Sequence, residues 1–187
     1  MAISQVSTVS RLSRRAFLGG CLSVGGMLVA SPLMAGLIQE NQRTLSFRHT
    51  HTGEKEKITY WRDGHYLNQE LQQLNHLLRD HRTGDIAAMD TSLLDLLYGL
   101  QLKVGKRGEY EIISAYRSPK TNQMLRSKSN GVAKKSFHMQ GKAIDVRLCN
   151  CDLKYLRESA LALKAGGVGY YPKSGFLHLD TGRVRRW

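Results

Sequence analysis

The stretch Ser136-Phe137-His138-Met139-Gln140-Gly141-Lys142-Ala143-Ile144-Asp145-Val146-Arg147-Leu148, read together with Phe176-Leu177-His178-Leu179-Asp180, decides how this chain folds. Side chains of a strand alternate between two faces. From Lys142 to Leu148 that places Ile144, Val146 and Leu148 on one face and Ala143, Asp145 and Arg147 on the other. In the second stretch Leu177 and Leu179 point one way, and Phe176, His178 and Asp180 the other. If the two strands are neighbours in one sheet, their aliphatic faces build the core. The opposite face then collects Asp145, His178 and Asp180, and His138, just ahead of its strand, can close over the same point.

Working outward, Asp152 caps a helix carrying Leu153, Leu156, Ala160 and Leu163, which Gly166-Gly167 is expected to end. Val168 to Tyr171 and Phe176 to Asp180 read as short strands joined by a turn at Pro172 to Gly175. Upstream, Glu109 to Tyr116 reads as a strand, and Ser118-Pro119 as the cap and first position of a helix through Leu125. Arg126 to Lys135 is polar and reads as an exposed loop. Two earlier helices are expected: Asn68 to about His81, and one capped by Asp90 in which Leu93, Leu96, Leu97 and Leu100 recur at helical spacing. Thr44 to His51 and Lys57 to Trp61 flank Thr52-Gly53-Glu54 as a hairpin. The pattern predicts an α+β fold, a small, mostly antiparallel sheet with flanking helices.

The chain has 187 residues and a formal charge of +13. Arg11, Arg14 and Arg15 are the only charged residues of the first 35, so the remainder holds 25 basic against 15 acidic residues, a net of +10. Ser13-Arg14-Arg15-Ala16-Phe17-Leu18, an uncharged stretch to Met34 and the small pair Ala35-Gly36 resemble a bacterial twin-arginine export signal. The expected organisation is a signal at 1–35, a linker at 36–43 and a domain at 44–187, with the mature protein in the periplasm. Uncleaved, Ala16 to Ile38 is long enough to anchor the chain in a membrane, though rich in glycine and serine. Leu18-Gly19-Gly20-Cys21 imitates a lipoprotein box but lacks an apolar run ahead of it.

Two imidazoles and a carboxylate are a usual ligand set for catalytic zinc, leaving a fourth position for water. Taken singly, His138 reads as a loop residue, Asp145 as an ion-pair partner and His178 as a surface residue of a strand; their joint spacing is what points to a metal. Ser-x-His-x-x-Gly-x-Ala-x-Asp followed by a distal His resembles the zinc peptidases of the D-alanyl-D-alanine carboxypeptidase type, grouped with lysostaphin and the hedgehog signalling domain. The positions are filled by Ser136, His138, Gly141, Ala143, Asp145 and His178, and the likeness extends over roughly Thr44 to Trp187.

That resemblance implies one zinc per chain on His138, Asp145 and His178, and hydrolysis of peptide cross-links in peptidoglycan by a water that the metal activates. It implies that Arg117, in Ala115-Tyr116-Arg117-Ser118-Pro119, contacts substrate or steadies charge on the tetrahedral intermediate, as a two-pronged guanidinium can. Ser136 is expected to orient substrate or its own loop. Many members carry an acidic general base three residues before the last His, where this chain has Gly175. Asp180 is the nearest replacement, either as base or as a hydrogen-bond support for a ligand His. The missing acid leaves open a non-catalytic wall-binding protein, and a D,D-carboxypeptidase is the third reading.

The partners expected are peptidoglycan peptide stems and the twin-arginine translocation machinery, with the chain acting as a monomer. Export and the lack of a recognition module argue against nucleic acid, despite Arg183, Arg185 and Arg186 beside Trp187. His49-Thr50-His51 offers two imidazoles on one strand face without a third ligand, while His76 and His81 read as surface residues of a helix. Cys149-Asn150-Cys151 is too tight for an easy mutual disulfide and has no assigned role.

Overall fold

The computed structural model describes residues 41–105 and 107–187. The export signal read at 1–35, and residues 36–40 of the linker, lie outside the described residues. The elements in chain order are β1 (Gln42–His49), β2 (Lys55–Arg62), β3 (His65–Tyr66), α1 (Asn68–Leu77), α2 (Thr91–Val104), β4 (Glu109–Ser114) and α3 (Pro119–Lys128). A 3-10 turn (Phe137–Gln140), β5 (Ala143–Leu148), α4 (Leu153–Leu163), β6 (Gly167–Tyr171), β7 (Phe176–Asp180) and β8 (Arg185–Arg186) follow.

All eight strands form one sheet in the order β3-β2-β1-β4-β5-β7-β6-β8. The pairs β1–β4 and β6–β8 run parallel and the other neighbours antiparallel, so the fold is α+β with a mostly antiparallel sheet. Leu45, Phe47, Ile112, Ile144, Val146, Leu177 and Leu179 are fully buried and lie under Leu74, Leu93, Leu97, Leu100 and Leu156 of the helices. One apolar face therefore drives the fold, at roughly 25 cal/mol per Å² of apolar surface removed from water. The face with Asp145 and His178 is left to polar chemistry. No helix among the described residues is long and apolar enough to cross a membrane.

Three helix ends differ from the sequence reading. α1 stops at Leu77 instead of running to about His81: the Arg79 amide bonds back to His76 O, and the Asp80 carboxylate accepts from Arg82 N and Ser118 N. α3 continues past Leu125 to Lys128, where Arg126 and Lys128 suit the negative end of the helix dipole. α4 is closed by Lys164 in the left-handed region, φ 51°, and not by Gly166-Gly167; Gly167 already belongs to β6. The caps at Asp90, Ser118 and Asp152 are as expected, each accepting a hydrogen bond from a first-turn amide.

Gly141 ends the 3-10 turn at φ 67°, and a Cβ there would press into the backbone carbonyl of Ala88. Gly141→Ala combines a left-handed residue with a clash against main chain and is expected to cost about 3 kcal/mol. Urea unfolding of the variant beside the native chain measures it.

Candidate metal centre

The 3-10 turn exists to aim one imidazole. Ser136 accepts the His138 amide on its Oγ at 3.3 Å, and Gly141 closes the other end, so His138 is held over the start of β5. His138 Nδ1–H donates to Ala115 O at 2.7 Å, a buried bond that fixes the tautomer and leaves the Nε2 lone pair pointing inward. The β5–β7 ladder sets Asp145 directly opposite His178. No insertion or bulge intervenes, which is why the two alternation patterns in the sequence meet as they do.

His138 Nε2 lies 3.2 Å from His178 Nδ1 and 3.3 Å from Asp145 Oδ1, and those last two atoms are 2.9 Å apart. Atoms bound at about 2.0–2.1 Å to a tetrahedral zinc are about 3.3 Å from each other, so the two edges at His138 have the length that a zinc ion requires and the His178–Asp145 edge, 2.9 Å, is somewhat shorter. Among the described residues, this is the one group of three or more His, Cys, Asp or Glu side chains whose ligand atoms converge closely enough for a metal. The donor set, two imidazole nitrogens and one carboxylate oxygen, fits as well.

The opposite edge of His178 is fixed too: its Nε2 is 3.0 Å from Asp180 Oδ2. Asp180 is fully buried and accepts both Nη groups of Arg185, at 2.9 and 2.6 Å, and the amides of Gly182 and Gly167 at 2.8 and 3.3 Å. Its carboxylate is therefore across the imidazole ring from the ligand point, with its oxygens committed to five donors. Burial alone would raise the Asp180 and Asp145 carboxyls; hydrogen bonds from His178 and Arg185 to the first, and the neighbouring His138 and His178 imidazoles at the second, hold both well below the usual range. Burial would lower His178, but its bonds to Asp145 and Asp180 raise it to about 8.

Arg117 comes to the same place from the end of β4. Its Nη2 is 3.8 Å from Asp145 Oδ2 and 3.4 Å from Ser114 Oγ, and its buried Nε has no hydrogen-bond partner among the described residues. The backbone is pinned on both sides: Arg117 N–H donates to His138 O at 3.2 Å, and Ser118 N–H to Asp80 Oδ2 at 2.9 Å. Burial would raise Asp80, but hydrogen bonds from the amides of Arg82 and Ser118 help to outweigh it, and the carboxyl is held at about 2. A depressed carboxyl stabilises the fold above its ordinary value of 3.8 and loses that contribution as pH falls through about 2. Asp80→Asn should thus lower the melting temperature at neutral pH, with the gap from the native chain closing between about pH 4 and pH 2.

These groups line a cleft of about 470 Å³, with Lys135, Phe137, Tyr171, Phe176, Arg185 and Trp187 around His138, Asp145 and His178. Asp145 is the only carboxylate in its wall among the described residues. Gly175, at the position where an acid was looked for, closes the β6–β7 hairpin at φ 71°. The aromatic wall was not picked out from sequence. Arg183, Arg185 and Arg186 beside Trp187 read there as a basic patch, whereas Arg185–Arg186 pairs in parallel with β6 and carries Trp187 into the cleft. The alternation of cation and aromatic was the available signal.

Away from the cleft, His81 is not a helical residue but stacks on His51 at 4.1 Å between centroids, with His49 at 5.4 Å. His49 Nδ1 accepts the amides of His51 and Thr52, so the three imidazoles pack without converging on a metal. Cys149 and Cys151, half-buried on either side of Asn150, form no disulfide, and the Cys151 thiol lies 3.6 Å from Asp152 O.

Residues 38–187 match the profile of a family described as peptidoglycan L,D-endopeptidase MepK. The chain is 43% identical over 170 residues to the peptidoglycan L,D-endopeptidase MepK of Escherichia coli (strain K12), which covers 91% of this chain and 93% of that one. It is 40% identical over 171 residues to the probable peptidoglycan L,D-endopeptidase MepK of Haemophilus influenzae, covering 91% of each. No solved structure matches.

Proposed function

The chain belongs to the M15 peptidase family described as peptidoglycan L,D-endopeptidase MepK, and from that we propose that it hydrolyses L,D cross-links between peptide stems of peptidoglycan, with one zinc ion on His138, Asp145 and His178. The observation that carries the reading is the triangle of ligand atoms with edges of 2.9 to 3.3 Å at the floor of an open cleft. When bound there, zinc supplies Lewis acidity, lowering the pKa of a water and polarising the amide carbonyl.

The chain's own residues divide the remaining work. Ser136 holds the turn that aims His138, which makes it a positioning residue. Asp180 keeps the Nε2–H of His178 engaged, so that Nδ1 presents its lone pair to the ion; Arg185 and two backbone amides keep that carboxylate ionised. Asp180 is thereby assigned to support of a ligand and not to the general base. Arg117 offers its guanidinium beside the ligand point, where it receives the negative charge that builds on the carbonyl oxygen or binds a stem carboxylate. The excess of basic residues suits an anionic wall polymer. Export to the periplasm by the twin-arginine route and action as a monomer complete the proposal; cell fractionation and solution mass report on each.

The test is incubation of the zinc-loaded protein with muropeptide dimers joined either by L,D or by D,D bonds, with products read by mass. Cleavage of the L,D dimer that stops with chelator is the expected result. Release of a terminal D-residue alone would make the protein a carboxypeptidase. Binding of muropeptide without turnover would make it a wall-binding protein that keeps the zinc fold.

A further inference from the structure

Trp187 is half-exposed, at 50%, yet each part of it is held. Its amide donates to Val168 O at 3.3 Å, and its carbonyl accepts from Tyr170 N–H at 3.1 Å, continuing the β6–β8 ladder. The indole Nε1–H donates to the Tyr171 hydroxyl at 2.9 Å. The Arg185 guanidinium lies 4.8 Å from the ring centroid, and the imidazole of His178 is 5.3 Å away, centroid to centroid. Beneath the ring is Gly169, the ladder partner of His178, where a Cβ would come within 2.8 Å of an indole carbon.

An aromatic side chain in the core is fixed by packing, but one left in water gains little from being ordered and loses rotamer freedom. Ordering it in advance lowers the cost of binding something against it. Tyr171 and Phe176, stacked at 4.8 Å, extend the same apolar wall, while Arg117 and Lys135 line the cleft as cations. Aromatic faces joined to cations suit a ligand with an alkyl chain that ends in a carboxylate.

We propose that Trp187 is a substrate-binding residue of this cleft: its indole, anchored at the edge of His178, is the shelf for the alkyl chain of the carboxylate-bearing stem residue next to the scissile bond. This rests on the peptidoglycan reading above and names the part of the substrate that the cleft recognises. The contact forms equally in the ground state and the transition state, so it governs KM and not kcat.

The test uses the zinc-loaded enzyme. Trp187→Ala should raise KM for the cross-linked muropeptide about tenfold, with kcat within about threefold of native and one zinc retained. Trp187→Phe recovers most of the loss. Gly169→Ala, which displaces the ring without removing it, raises KM in the same direction. Trp61→Phe leaves Trp187 as the only tryptophan of the two, and its emission should then change saturably on titration with muropeptide monomer, which has no cross-link to cut. An unchanged KM in Trp187→Ala, or a loss confined to kcat or to zinc content, overturns the proposal and reduces the indole to a cover for His178. If the native enzyme turns over no muropeptide, the functional reading fails on its own, and the emission titration still decides the shelf.

Discussion

His138→Ala and His178→Ala proteins are expected to purify without stoichiometric zinc and to hydrolyse cross-linked muropeptide about 10³-fold or more slowly than the native chain. Either change leaves one imidazole and one carboxylate, and two ligands do not hold a tetrahedral ion against water. The His138 change has a second cost, because it also removes the buried bond from Nδ1–H to Ala115 O. Asp145→Asn is the milder probe of the same point: it keeps the shape while removing the charge that makes the site attractive to a cation. Zinc should bind it more weakly, with activity recovering at high zinc concentration. Metal analysis beside turnover separates the outcomes. A bound ion also stabilises the native state alone, by about 4 kcal/mol at a thousandfold excess over Kd. Chelator should therefore lower the melting temperature of the native chain and leave that of His138→Ala where it was.

Asp180→Ala should be the most destabilising change on the polar face of the sheet, costing about 3 kcal/mol. It strands Arg185, the Gly167 and Gly182 amides and the Nε2–H of His178 at a fully buried position. Loss of a hydrogen-bond partner behind a metal ligand typically lowers affinity or activity about 10- to 100-fold. Weakened zinc binding, a lower melting temperature and residual turnover belong together in this account. A general base behaves differently: its removal leaves zinc content and stability nearly intact while turnover collapses and the acid limb of the pH profile disappears. The two roles are thus separable in a single variant, by measuring zinc, stability and rate on the same preparation.

Much of the centre was legible because strand alternation is strict. Once Ile144 and Val146 were assigned to the core, Asp145 had to face away, and Leu177 and Leu179 fixed His178 by the same rule. His138 was legible as a residue just ahead of the strand, but the 3-10 turn that aims it, capped by Ser136 and closed by Gly141, was not. What escaped depended on contacts between distant segments. The parallel pairings of β1 with β4 and of β6 with β8 leave no periodic trace, so Trp187 could not be placed in the cleft from its neighbours. Asp180 was recognised as facing His178, yet its commitment to Arg185 and two amides follows from the return of the chain after β7. His81 was read into a helix that ends four residues earlier, because the bond from Ser118 N–H to Asp80 is invisible to helical spacing.

The most direct test of the central claim is a zinc titration of the chelated native chain, with L,D-linked muropeptide cleavage measured at each step. Activity that is absent without metal, rises linearly and levels off at one zinc per chain, with no such rise in His138→Ala, is the result predicted. Full cleavage by the metal-free chain, or an equal response to zinc in His138→Ala, would contradict the assignment of His138, Asp145 and His178 as the catalytic metal centre.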